Sequence, residues 1–263
     1  MIKQILFTRI YKIKLAFTRR KINKYDKIYS LSQISHYLKS RNEKYNYFYH
    51  FFWNLSPKWL KEHRAYFSQN FRGFGEDAFH AMWFFVFKKF KPKYILEIGI
   101  YRGQTLSLFS LLGKKFEFEV DIHGISPFTS AGDKVSQYLG NLDYYKDVMI
   151  NFDFFKLPLP VLHKGFSTDE DMIKVIKSKV WDLIYIDGNH DYEIVKQDFN
   201  ICADSIKKGG LLVLDDASLN TDYTPSFYST AGHPGPSFVA SEINLDLFEE
   251  ILSVGHNRVF MKL

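Results

Sequence analysis

The sequence predicts an α/β protein: a Rossmann-like, doubly wound, mostly parallel sheet with a C-terminal antiparallel strand pair, preceded by an N-terminal helical extension. Three observations carry that prediction. From residue 94 onward, short apolar runs ending in Gly or Asp alternate with amphipathic stretches of helical length, as parallel strands buried on both faces require. Two strand-like runs, FEEILSV and RVFMKL, flank Gly255–Asn257. Residues 26–72 are polar and aromatic without strand alternation, which suits one or two helices with loops.

In EDAFHAMWFFVFKKFKP, Phe79, Met82, Trp83, Val86, Phe87 and Phe90 recur at helical steps, and Pro92 stops the helix. YILEIG (94–99) reads as the first strand, QTLSLFSLL (104–112) as a helix ended by Gly113, and FEFEVDIHGIS (116–126) as the second strand. PVLHKG (160–165) is the third strand, followed by a helix over 169–179. WDLIYIDG (181–188) is the fourth, and a helix over 192–208 closes at Gly209–Gly210. LLVLDD (211–216) is the fifth. Residues 217–241, rich in Ser, Thr, Gly and Pro, read as a long loop of the kind that forms substrate lids. The division expected is a basic helical extension over 1–72 and an α/β domain over 73–263.

Hydrophobic residues make up 46% of the 263 and charged residues 24%, enough apolar surface for a real core. A single cysteine, Cys202, excludes a disulfide framework and a cysteine-built zinc cluster. The longest apolar run, AFHAMWFFVF (78–87), falls well short of the ~20 residues a membrane-spanning helix needs. Lys3, Arg9, Lys12 and Lys14 interrupt any secretory core, so the expected location is cytoplasmic.

The net charge of +6 is unevenly placed. Residues 1–24 carry eight basic side chains and no acid, which leaves 27 basic against 29 acidic over the remainder. A nucleic-acid-binding body should carry the excess itself, so no nucleic-acid partner is expected. Ile2, Leu6, Ile10, Ile13 and Phe17 share one helical face in this tail. Such a helix suits peripheral contact with the inner face of a membrane through residues 1–25; the alternative is packing on its own domain or on a second subunit of a homo-oligomer.

Ligands of open α/β sheets sit beyond the carboxyl ends of the strands. At the first end, LEIGIYRGQT places Glu97 on the strand, Gly99 and Gly103 around the turn, and Tyr101 and Arg102 within it. The glycines admit a ligand close to the backbone, whereas Glu97 repels a pyrophosphate and suits an ammonium group. S-adenosylmethionine (SAM) carries an ammonium and no phosphate. The second end offers Ser126 in place of a ribose-binding acid. The fourth crowds Asp187, Asn189, His190 and Asp191 after an apolar strand, and the fifth ends in Asp215 and Asp216. If Asp187, Asp215 and Asp216 converge, they repel unless a hard cation such as Mg²⁺ neutralises them.

Together LEIGIYRGQT, DLIYIDGNHDYE and KKGGLLVLDD resemble the class I SAM-dependent methyltransferases, closest to the branch with an IDGxHxY segment that includes metal-dependent O-methyltransferases of sugars and macrolides. The resemblance covers roughly residues 75–263. It implies that Glu97, Gly99, Tyr101 and Gly103 line the methionine end of SAM, with Ser126 at the ribose and Asp169 near the adenine. It implies Asp187, Asp215 and Asp216 as Mg²⁺ ligands, with Asp187 and His190 catalytic and His190 the general base. The expected activity is O-methylation of a vicinal diol on a saccharide or glycosylated small molecule. A metal touching both hydroxyls lowers their pKa, and an imidazole of pKa ~6.5 takes the proton. The competing reading is a non-catalytic SAM-binding scaffold in a membrane-associated glycan-assembly complex. An NAD-dependent oxidoreductase is disfavoured by the Tyr101–Arg102 turn and Glu97; a non-haem iron oxygenase needs a second histidine, for which His190 has no evident partner, leaving His123, His163 and His233 as the open alternatives.

Overall fold

The computed structural model describes residues 29–226 and 229–263. The basic stripe and the membrane contact expected of residues 1–25 lie outside the described residues. Among the described residues no helix is long and apolar enough to cross a membrane.

A seven-stranded sheet runs in the order β3-β2-β1-β4-β5-β7-β6. Its strands are β1 (Tyr94–Ile98), β2 (Asp121–Ser126), β3 (Val161–Lys164), β4 (Trp181–Ile186), β5 (Ile206–Leu214), β6 (Phe248–Val254) and β7 (Asn257–Lys262). The first five pair in parallel, whereas β7 runs antiparallel to both β5 and β6. The strand order reverses between β1 and β4, where their carboxyl ends open a crevice.

The helices are α1 (Leu31–Tyr37), α2 (Arg41–His50) continuing into a π turn (Phe51–Leu55), α3 (Lys58–Phe67), α4 (Asp77–Phe90), α5 (Gln104–Lys115), α6 (Tyr144–Phe154), α7 (Glu170–Lys177), α8 (Tyr192–Ser205) and α9 (Pro234–Ser241). Strand side chains alternate between faces, so each face has its own core. Ile95, Leu183, Tyr185, Leu211 and Val213 enter an aromatic layer under α2, α4 and α5. Leu96, Ile98, Ile184, Ile186, Leu212 and Leu214 pack under α7, α8 and α9.

The segment before residue 72 is built into this body. Ser30 and Ser40 each close a capping box that starts a helix. Phe48 and Phe51 meet Phe85 of α4 at ring centroids of 5.5 and 4.7 Å. Arg41 forks onto Glu250 of β6, with Nη2 to Oε2 at 3.1 Å.

Several boundaries differ from the sequence reading. Strand two begins at Asp121, because Glu117 turns with φ +59° and Phe118 donates its N–H to Gly113. Helix α5 continues past Gly113 to Lys115; a Cβ at Gly113 would meet a Val120 methyl at 2.8 Å, so the glycine serves packing there. Helix α8 stops at Ser205, and Ile206–Lys208 already belong to β5. Helix α6 arises in a stretch without a sequence signal, capped by Asp143, which accepts the Lys146 N–H at 2.9 Å.

Asp198 of α8 is 1% exposed; one oxygen accepts from Ser167 Oγ at 3.0 Å and the other has no partner. Burial raises its pKa to about 6, against the Ser167 hydrogen bond. The folded state therefore holds the proton longer than the unfolded chain. Stability from this group is complete below ~3.9 and is lost as pH rises through about 6. Asp198→Asn is expected to equal the native protein at pH 4. Above pH 6 it should be more stable by up to about 3 kcal/mol, a rise of several degrees in melting midpoint. Calorimetry across that pH range checks it, and equal midpoints at pH 7 would contradict it.

Candidate active site

A cavity of about 710 Å³ opens at the carboxyl ends of β1, β2, β4 and β5. Glu97, Gly99, Tyr101, Gly103, Ser126, Asp187, His190, Asp215 and Asp216 all line it.

At one end, Gly99 (φ +94°) brings the β1 turn against β4: a Cβ there would meet the Asp187 carbonyl oxygen at 1.9 Å. Gly103 (φ +78°) caps α5, so the helix N-terminus faces the cavity. Glu97 is 3% exposed, and its Oε2 has no hydrogen-bond partner. Burial pushes its pKa well up, against hydrogen bonds from the Thr105 hydroxyl and the Leu106 amide. An ammonium group suits such a carboxylate, supplying the missing donor and the opposing charge together. Tyr101 stacks beside Phe74 and Tyr138 at centroid distances of 4.6 and 5.7 Å. Ser126 donates to the Ile100 carbonyl at 3.1 Å. Asp169, expected at the adenine, does not line the cavity; its Oδ2 accepts the Phe166 N–H at 2.8 Å in the turn before α7. Gly165, Phe166, Ser167 and Thr168 form that wall instead.

The other end holds the carboxylates. Asp187 and Asp215, half-buried in the cavity wall, are hydrogen-bonded to each other. Burial, then the charges of Asp215, Asp216 and Glu97, hold the Asp187 pKa well above the carboxylate range. Burial also raises Asp215, with the His256 charge opposing. Asp216 departs from the strand with φ +52°, a conformation uncommon outside glycine. That turn aims its carboxylate at histidines: His190 Nε2 at 3.0 Å, His256 Nδ1 at 3.7 Å and His233 Nε2 at 3.8 Å. Asp187, Asp215 and Asp216 all line this end of the cavity, with Asp187 paired to Asp215. Two further groups among the described residues bring ligand atoms together, Asp215–Asp216–His256 and Asp216–His190–His233. The second also brings His233, of the three histidines open from sequence, beside His190, with ring centroids 4.3 Å apart.

His190 is held on both sides. Nδ1 lies 2.6 Å from Asp133 Oδ2, which also accepts the His190 amide at 2.9 Å. Burial disfavours the imidazolium, yet the hydrogen bonds to Asp216 and Asp133 outweigh it and raise the pKa to about 9. The ring does not keep its ordinary pKa of ~6.5, because two carboxylates embrace it.

Asp133 and His256 were not singled out for this site from sequence, whereas His233 was one of three histidines left open as a neighbour of His190. Asp133 lies in a Ser/Gly-rich stretch far in the chain from His190. His256 falls in the β6–β7 turn, which the Gly255–Asn257 signal marks as a turn without marking its side chain as part of the cavity. The lid reading of 217–241 also changes. Ala217 pairs with Gly232, α9 packs on the α8 face, and the segment over 127–138 lines the cavity with Asp133, Ser136 and Tyr138.

Residues 96–217 match a family model described as Methyltransferase domain. A relative from Acanthamoeba polyphaga mimivirus, Uncharacterized protein R132, is 30% identical over 123 residues, 46% of this chain. The chain spans about half the length of that relative, 50%. Among solved structures, a candidate caffeoyl-CoA O-methyltransferase from Staphylococcus aureus aligns over 78% of this chain and 93% of its own, at 15% identity and TM-score 0.57. The S-adenosylhomocysteine (SAH)-bound methyltransferase PaMTH1 from Podospora anserina aligns over 79% and 88%, at 14% identity and TM-score 0.53. An SAH-bound O-methyltransferase from Bacillus cereus aligns over 88% and 96%, at 11% identity and TM-score 0.51. Residues 96–217 are thus similar to a methyltransferase domain, and the chain shares the fold of these solved methyltransferases.

Proposed function

We propose that this chain transfers a methyl group from SAM to a hydroxyl of a saccharide or a glycosylated small molecule. The observation that carries the reading is a single cavity with two differently equipped ends. Glu97 waits with a buried, unpartnered oxygen at one end, and the Asp133–His190 pair stands at the other.

When bound, SAM supplies an electrophilic methyl on a sulfonium. Glu97 suits its ammonium, and Gly99 and the N-terminus of α5 leave room for the carboxylate. Asp133 fixes the His190 ring through Nδ1, so Nε2 is the atom that would accept the hydroxyl proton. Nε2 serves as a base only where Asp216 has left it, because with both carboxylates engaged the ring already carries that proton. Tyr101, Tyr138 and Phe74 give an aromatic border suited to the flat faces of a sugar ring or an aglycone. Asp187, Asp215 and Asp216 line the same end of the cavity and would hold a divalent cation, which would supply Lewis-acid polarisation of an acceptor hydroxyl.

The test is to incubate the full chain with SAM and a panel of diol-bearing sugar nucleotides and glycosides. SAH release matched by a product heavier by one methylene unit is expected. Failure of the protein to bind SAH by calorimetry would end this reading.

A further inference from the structure

Asp198 stands on the buried face of α8 with Val195, Phe199 and Cys202, behind the cavity wall and not on it. One of its carboxylate oxygens is buried without a hydrogen-bond partner. A carboxylate so placed costs stability, so its presence asks for another reason. The other oxygen, Oδ2, supplies one: it accepts the Ser167 Oγ–H at 3.0 Å, and Ser167 does line the cavity.

The backbone holds Ser167 in that place from both sides. Gly165 donates its N–H to the Ser126 carbonyl at 3.1 Å, which ties this turn to the end of β2. Asp169 grips the turn from beyond: its N–H meets the Phe166 carbonyl at 2.9 Å, and its Oδ2 takes the Phe166 N–H at 2.8 Å. A hydroxyl has one proton to donate and two lone pairs. An ionised carboxylate only accepts, and with a pKa of about 6 Asp198 is ionised at neutral and higher pH. The Ser167 proton is therefore committed to Asp198, and what its oxygen offers the cavity is a lone pair.

The sheet order says which part of a ligand meets that lone pair. Strands β1, β2 and β3 are successive neighbours. In the methyl-transfer reading, on which this inference rests, the ammonium lies at Glu97 of β1 and the ribose at the end of β2. The base then extends to the turn after β3, where Ser167 stands. Adenine carries an amino group, a donor, where hypoxanthine carries a carbonyl, an acceptor.

We infer that Asp198 is a positioning residue that fixes Ser167 as a hydrogen-bond acceptor, so that the cavity selects a 6-amino purine and rejects its 6-oxo analogue. The full chain is titrated by calorimetry at pH 8 with SAH and with S-inosylhomocysteine, the 6-oxo analogue. The native protein is expected to bind SAH at least ~10-fold more tightly, because the analogue sets a carbonyl against the serine lone pair. In Asp198→Asn the amide turns its NH₂ toward Ser167, since an unpaired carbonyl is tolerated in a core better than an unpaired N–H. The serine proton is then released to the cavity, and the preference is expected to shrink to about threefold or less. Ser167→Ala should bring the ratio to the same level by removing the acceptor. A general loosening of the turn weakens both ligands together and leaves the ratio where it was, so the ratio separates positioning from mere support. Equal binding of both ligands by the native protein, or a preference kept in either variant, would overturn the inference while the methyl-transfer reading stands. A native protein that binds neither ligand removes both.

Discussion

His190→Ala is expected to lower turnover by ~10²–10⁴-fold while SAH affinity stays within about twofold. The separation follows from position. His190 follows β4 and contacts Asp133 and Asp216, whereas Glu97 and Gly99 stand at the turn after β1. Removal of the ring leaves the Asp133 carboxylate with the Val135 and Ser136 amides at 2.9 and 2.7 Å, so the loop keeps its main anchors. Single-turnover kinetics with SAM and an accepted sugar, beside SAH calorimetry, make the measurement. A variant that keeps native turnover would take the proton-acceptor role from His190, and one that loses SAH binding in parallel would make the residue structural.

The second large effect concerns Glu97→Gln. SAH affinity is expected to fall by about 10- to 100-fold, as when a charge-assisted hydrogen bond worth ~1.5–3 kcal/mol is lost. The variant nearly preserves shape, so the loss reports charge. The stability of the ligand-free protein should move the other way. Burial disfavours the ionised carboxylate, and an amide removes that cost. A fall in SAH affinity together with a melting midpoint equal to or above the native value is the signature of a binding group. Unchanged affinity would show that the ammonium goes elsewhere, and a collapse of the midpoint would show a structural acid.

Much of this architecture was legible in the sequence because strand ends carry strong signals. The apolar runs before Gly99, Asp187 and Asp215 place β1, β4 and β5 close to where they lie, since each run is buried on both faces and bounded by residues that break strands. The boundaries that failed did so for local reasons. Gly113 looks like a helix terminator but is required small by Val120, and Ile206–Lys208 look helical but pair into the sheet. Placement in the cavity was legible for Glu97, His190 and Asp216, whose neighbours in sequence announce a strand end. It was not legible for Asp133 or His256, because nothing short-range in a loop or a hairpin turn reports which distant carboxylate it will meet. The left-handed turn at Asp216 was likewise invisible: two successive aspartates give no hint that the second leaves the strand direction.

The main chain fastens the acidic corner on two sides. The Asp216 carbonyl receives the His233 N–H at 2.8 Å, and the His256 carbonyl receives the Ala217 N–H at 2.9 Å. Gly232 is required for the first contact, as a Cβ there would strike the Asp216 carbonyl oxygen at 2.1 Å. Both hydrogen bonds hold the backbone that carries the Asp216 carboxylate toward His190. An exchange at Gly232 is therefore expected to shift the Asp216 backbone and loosen its carboxylate from His190 without any change in the cavity's own side chains.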